Sequence, residues 1–126
     1  MAGSPYQGRT VVLVAEDEAL VRLFTADFLA EAGYAVVEVS SAAGAIRALE
    51  STAEIRVLLT DVEMPGDMDG LELAREVQRR WPEVIIIVTS GRVRPSGDDL
   101  AAGAELFQKP IWEAAVLEVL RERLTA

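Results

Sequence analysis

Apolar positions in this chain switch repeatedly between two patterns. "TVVLVA" (Thr10–Ala15) is a continuous apolar, β-branched run, as expected of a strand buried on both faces. From Ala19 to Ala32, Leu20, Leu23, Phe24, Phe28 and Leu29 recur at helical spacing, and Gly33 is placed to end that helix. "YAVVEV" predicts a second strand. Ser40 or Ser41 can cap the next helix, whose apolar stripe is Ala45, Ile46 and Leu49. "IRVLLTD" predicts a third strand, "GLELAREVQRRW" a helix stopped by Pro82, and "VIIIVTS" a fourth strand, the most apolar of all. A polar loop, "GRVRPSGDD", leads to a short helical turn expected around Leu100 to Ala102. "AELFQK" is a fifth, shorter strand. Pro110 opens a final helix through Leu124, at a first-turn position where its missing N–H is not needed.

Strand and helix therefore alternate five times, with no internal repeat and no linker. Strands this apolar cannot keep a wet face, so helices must cover both sides of a parallel sheet. The fold class is α/β: one doubly wound five-stranded parallel sheet flanked by five helices, the short turn counted as the fourth.

Composition narrows the function. A chain of 126 residues is the size of one domain with a single good core. No apolar run approaches the roughly 20 residues that span a bilayer, and "MAGSPYQGRT" lacks the charged start and apolar middle of a signal peptide. The expected setting is cytoplasmic, with no membrane contact and with residues 1–8 as a flexible leader. Cysteine and histidine are both absent, which excludes disulfides, thiolate metal sites and the commonest general base. A net charge of −9 argues against a nucleic-acid surface, which needs clustered Lys and Arg.

Sites in doubly wound sheets lie beyond the carboxyl ends of the strands. There this chain places Glu16, Asp17 and Glu18 after the first strand, Asp61 after the third, Thr89, Ser90 and Gly91 after the fourth, and Lys109 and Pro110 after the fifth. Taken singly, most have a plain structural role. Acidic residues ahead of a helix cap it, "TSG" makes a turn, and a lysine before a proline is a solvated charge. Asp61 is harder to dismiss, because it ends a buried strand and "MP" does not start a helix. Together they form an all-oxygen cluster beside an ammonium and a hydroxyl. Clustered carboxylates repel unless a cation joins them, and a hard ion such as Mg²⁺ or Mn²⁺ suits such ligands. Aspartate can also act as a nucleophile and form an acyl phosphate. The metal, lysine and hydroxyl are what a transferring phosphoryl group needs.

"VVLVAEDEALVR", "LLTDVEMPGDMDGLEL", "IIIVTSG" and "LFQKPI" resemble, in order and spacing, the receiver domain of two-component response regulators, from about Thr10 to Leu124. The resemblance implies a flavodoxin-like strand order of 2-1-3-4-5, the order known for this family, and a receiver domain over residues 9–126. It implies that Asp61 is the phosphoacceptor, that Asp17 ligates Mg²⁺ directly and that Glu16 acts on the metal through water. Glu63 would offer the metal its backbone carbonyl. Thr89 and Lys109 would contact phosphoryl oxygens, Ser90 would leave the donor a way in, and the Lys109–Pro110 peptide would be cis. Three departures stand out: Glu16 where the family often has Asp, one extra residue in "MPGDMDG", and Leu106 where an aromatic residue is common, with Phe107 beside it on the other face.

By the same resemblance, a histidine kinase or histidine phosphotransfer protein would donate the phosphoryl group to Asp61. Phosphorylation would then switch a surface of helix four, strand five and helix five, roughly Gly97 to Leu124, with the "GRVRPSGDD" loop as the moving element. A downstream protein target, or a second copy of the chain, would bind that face. The chain would be a signalling domain and not a turnover enzyme. It ends at Ala126, so it is either a stand-alone receiver or a piece of a larger protein. Two rivals are a degenerate receiver that binds partners without phosphorylation and a haloacid dehalogenase-like phosphohydrolase. The second needs an Asp two residues after its nucleophile, where this chain has Glu63.

Overall fold

The computed structural model describes residues 4–91 and 95–125. The strands are β1 (Val11–Ala15), β2 (Ala35–Val39), β3 (Ile55–Asp61), β4 (Ile85–Ser90) and β5 (Glu105–Gln108). Helices α1 (Ala19–Glu31), α2 (Ala42–Ser51), α3 (Gly70–Arg80) and α4 (Glu113–Thr125) alternate with them. The strands pair in parallel in the order β2-β1-β3-β4-β5, as the resemblance implied.

Strand parity divides the core into two layers, because alternate side chains point to opposite faces. Val11, Leu13 and Ala15 of β1 join Leu58, Ile86 and Val88 under α2 and α3, which contribute Ala45, Leu49, Leu73 and Val77. Val12, Val14, Val57, Leu59 and Ile87 face α1 and α4, which contribute Phe28, Leu29, Val116 and Leu120. Each of the larger side chains buried here stabilises the fold by about 1.5–3 kcal/mol relative to exposure. Tyr6, within the expected leader, packs against the first layer.

Among the described residues there are four α-helices, not the five expected. The expected fourth is a single 3₁₀ turn at Gly97–Asp99, just ahead of the predicted Leu100 to Ala102. Residues 92–94 of the loop before it lie outside the described residues. The local sequence explains the short turn. Ser96 and Asp99 close a reciprocal cap around one turn, the Asp99 carboxylate accepting from the Ser96 N–H and hydroxyl, both at 3.1 Å. Leu100 is already extended, and Gly103 takes φ +80° to turn the chain into β5. Carbonyls that a helix would satisfy internally accept from α3 side chains instead: Arg75 Nη1 donates to the Asp99 oxygen at 2.7 Å and Gln78 Nε2 to the Ala102 oxygen at 2.6 Å. The surface expected to comprise helix four, strand five and helix five is thus built from this strapped segment, β5 and α4.

The apolar stripe of α1 also divides. Phe28 and Leu29 are buried, whereas Leu20 is 82% exposed, Leu23 52% and Phe24 54%.

Candidate functional site

Strand register assembles the carboxyl edge. Ala15 lies opposite Thr60, Asp61 opposite Thr89, Thr89 opposite Phe107 and Ser90 opposite Gln108, the residue before Lys109. The Lys109–Pro110 peptide is cis. The turn after β3 is pinned where Gly70 N–H donates to the Val62 carbonyl at 2.8 Å. Asp69, the last aspartate of the "MPGDMDG" loop, caps α3: its carboxylate accepts from Glu72 N–H at 2.9 Å, and Glu72 returns the contact to Asp69 N–H.

Lys109 Nζ donates to Glu16 Oε1 at 2.8 Å and to Asp61 Oδ2 at 3.2 Å. Glu16 and Asp61 are both buried, and Asp17, exposed, brings a third carboxylate oxygen within 4.8 Å of theirs. Asp61 Oδ1 is buried with no hydrogen-bond partner among the described residues. Asp17, Glu18, Asp61, Glu63, Gly91 and Lys109 line a cleft of about 360 Å³ over this cluster.

One ammonium among three carboxylates leaves the cluster short of positive charge. Burial pushes the Asp61 carboxyl above its usual range, against the charge and hydrogen bond of Lys109, which pull it down. Burial likewise raises Glu16, again opposed by Lys109. Burial works to lower the Lys109 ammonium, but its bonds to and the charges of Glu16 and Asp61 outweigh burial and leave it raised. The orphaned Asp61 oxygen, the exposed Asp17 carboxylate and the all-oxygen donor set fit a hard divalent cation.

The structure thus gathers Glu16, Asp17, Asp61, Glu63 and Lys109. Thr89 sits beside them in register, fully enclosed, its hydroxyl 3.5 Å from the Thr60 carbonyl. Leu106 and Phe107 take opposite faces of β5, packing against the first and second core layers respectively. Three features were not read from the sequence. Gly70 is required by close approach, because a Cβ there would collide with the Asp61 carbonyl; the "DG" ahead of a helix was the available signal. Arg22 Nη1 donates to the Glu16 carbonyl at 2.8 Å and holds the β1–α1 turn. An apolar cleft of about 600 Å³, lined by Leu20, Val21, Phe24, Thr25, Pro110 and Ile111, shares Lys109 with the acidic cleft.

Residues 12–121 match the response regulator receiver domain family, and the chain belongs to it. The response regulator receiver protein CpdR of Brucella abortus (strain 2308) is 31% identical over 119 residues, spanning 91% of this chain and 97% of that protein. A response regulator receiver protein from Sinorhizobium medicae WSM419 has a crystal structure that superposes with a TM-score of 0.88, at 29% identity over 94% of this chain and 97% of that one. Other relatives are much longer: the chain spans 9% of the sensor protein TorS of Escherichia coli (strain K12), at 32% identity over 65% of its own length. It spans 25% of the hydrogenase transcriptional regulatory protein HoxA of Cupriavidus necator.

Proposed function

We propose that Asp61 accepts a phosphoryl group from the phosphohistidine of a histidine kinase or histidine phosphotransfer protein, with Mg²⁺ (or Mn²⁺) in the cleft. The observation that carries this reading is the Asp61 carboxylate itself. One oxygen is held by Lys109, while the other is buried, without a hydrogen-bond partner among the described residues and beside a cleft lined by three more acidic residues. Asp17 and Asp61 would hold the metal, with the Glu63 carbonyl and Glu16 as further candidates. The bound ion would supply the positive charge that lets an anionic carboxylate meet an anionic phosphoryl group. An Asp61 oxygen attacks phosphorus, the P–N bond breaks, and the imidazole leaves with the bonding electrons and takes up a proton. Lys109 keeps one phosphoryl oxygen paired. Thr89, freed from a long contact to Thr60, donates to another.

The acidic cleft opens beside an apolar one through their shared Lys109, which supports a protein as the donor. Leu20 and Phe24 of its lining are exposed, a surface a small donor does not need. The switched surface is the strapped segment at 95–104 with β5 and α4, where a downstream protein or a second copy of the chain binds. Residues 9–126 act as the receiver domain and residues 1–8 as its leader. The domain works as a signalling switch, not by turnover.

Intact mass after incubation with acetyl phosphate and Mg²⁺ tests the reading. Wild type gains one phosphoryl group and Asp61→Asn gains none. A wild type that gains nothing, and whose Mg²⁺ affinity beryllofluoride does not tighten, overturns it in favour of a phosphorylation-independent binding module.

A further inference from the structure

Helices α2 and α3 begin under side-chain caps, Ser41 accepting from the Gly44 N–H and Asp69 from the Glu72 N–H. Helix α1 begins at Glu18 with no side-chain cap and no acidic residue in its first turn. Yet the turn before it carries Glu16 and Asp17, two of the three carboxylates of the acidic cluster. Asp17 is exposed, so its backbone and not packing sets where its carboxylate stands.

Arg22 holds this turn from the helix side. Its N–H donates to the Glu18 carbonyl at 2.9 Å, which puts it one turn into α1. Helical side chains lean toward the N-terminus, and its guanidinium accordingly reaches back over the turn. Nη1 donates to the Glu16 carbonyl at 2.8 Å, and Nε pairs with Glu38 Oε1 of β2 at 3.5 Å. The Glu16 N–H meanwhile donates to the Val39 carbonyl at 3.1 Å, so both polar groups of this residue's backbone are tied. The Glu16 carbonyl shares a rigid peptide plane with the Asp17 N–H and Cα. Fixing that oxygen therefore fixes the direction in which Asp17 leaves the strand.

We propose that Arg22 is a positioning residue for the metal site: its guanidinium sets the peptide ahead of Asp17 and thereby aims the Asp17 carboxylate at the ion. This rests on the reading of the cleft as a metal and phosphoryl site, and adds to it a residue outside the cleft lining. The sign of the effect separates positioning from charge. Arg22 is a cation beside an acidic cluster, so by charge alone its removal would tighten the binding of a divalent cation. Loss of positioning weakens that binding instead.

The experiment determines Mg²⁺ Kd by calorimetry, at fixed ionic strength, for wild type, Arg22→Met, Arg22→Ala, Arg22→Lys and Glu38→Gln. It also measures amide hydrogen exchange in each without metal. Kd should rise by about tenfold or more in Arg22→Met and Arg22→Ala, as for outer partners of metal ligands. Arg22→Lys retains a donor and should recover to within about threefold of wild type. Glu38→Gln removes only a long, half-exposed ion pair and should stay within about twofold. Exchange at residues 16–19 should quicken by about tenfold in Arg22→Met and Arg22→Ala while β3 and β4 keep the wild-type rate. An unchanged or tighter Kd in Arg22→Met overturns the proposal. So does a weaker Kd accompanied by equally faster exchange in β3 and β4, which marks general destabilisation. Arg22→Met keeps the apolar stem and removes only the donors, so it carries the test if Arg22→Ala folds poorly. A wild type that binds no Mg²⁺ sinks the metal reading itself. Exchange at 16–19 then still decides whether Arg22 holds the turn, and an unchanged rate there overturns that role.

Discussion

Gly70 and Asp61 meet backbone to backbone: a methyl group on Gly70 would overlap the Asp61 carbonyl. The first residue of α3 is therefore packed directly against the Asp61 backbone, and the hydrogen bond from Gly70 to Val62 closes the turn between them. Neither backbone can retreat without breaking the β3–β4 ladder or unseating the Asp69 cap. Gly70→Ala should destabilise the domain by at least about 1–3 kcal/mol, the cost of overpacking a dense interior. Urea denaturation measures this, and unchanged stability would mean that the contact is easily relieved.

The pH dependence of the metal-free domain should carry the mark of the same aspartate. Asp61 and Glu16 both have carboxyl groups raised in the fold above their ordinary values of 3.8 and 4.5, with burial the main cause. The folded state thus holds protons that the unfolded chain has released. Stability from these groups is fully present below the ordinary values and is lost as pH rises through the raised ones. Asp61→Asn removes one of the two groups, so it should flatten this decline and raise Tm in neutral, metal-free buffer. Mg²⁺ should do the same for wild type, by about 1.4 kcal/mol at ten times its Kd, and should lose its effect in acid and in Asp61→Asn. A wild-type Tm that climbs steadily from pH 4 to pH 7 without metal would contradict the assignment.

How far the sequence revealed these features depended on whether the cause was local. Uninterrupted β-branched runs such as "TVVLVA" and "VIIIVTS" announce strands buried on both faces, and the carboxyl-edge rule then collects Asp17, Asp61 and Lys109 without coordinates. The missing helix was not legible in this way. Its short turn ends because Ser96 and Asp99 close on each other, and because carbonyls at 99 and 102 are taken by Arg75 and Gln78, each 24 residues away. Helical spacing placed Leu20 and Phe24 on one stripe with Phe28. Spacing does not show that the first turns of α1 reach the sheet's carboxyl edge, where the stripe meets the site and not the core. That Glu16 turns toward Lys109 was likewise hidden, since strand ends alone do not show which carboxylate the ammonium meets.

Exposed apolar side chains at the start of α1 should matter to transfer and little to folding. Leu20→Glu and Phe24→Glu alter residues that are 82% and 54% exposed, so their effect on stability should stay within about 0.5 kcal/mol. The ratio of transfer from a phosphorylated protein donor to acceptance from acetyl phosphate should fall by about tenfold or more, as for central apolar residues of an interface. Equal effects on both donors would place the apolar cleft outside the docking surface.

The strap in place of a fourth helix should open as a unit. Arg75 and Gln78 each give one hydrogen bond to a carbonyl of the segment, and Arg123 of α4 gives a third, to Gly103 at 3.1 Å. Such bonds contribute about 0.5–1.5 kcal/mol each, and removing them acts on a stretch that otherwise buries little beyond Ala101. The double variant Arg75→Ala/Gln78→Ala should therefore speed hydrogen exchange across residues 95–104 by about tenfold or more while leaving exchange in β1 and β3 at the wild-type rate. If phosphorylation works through this segment, beryllofluoride with Mg²⁺ should change exchange there in wild type, and by less in the double variant, where the strap is already loose. Beryllofluoride protection confined to the acidic cleft, with no change at 95–104 in wild type, would mean that this segment carries no signal.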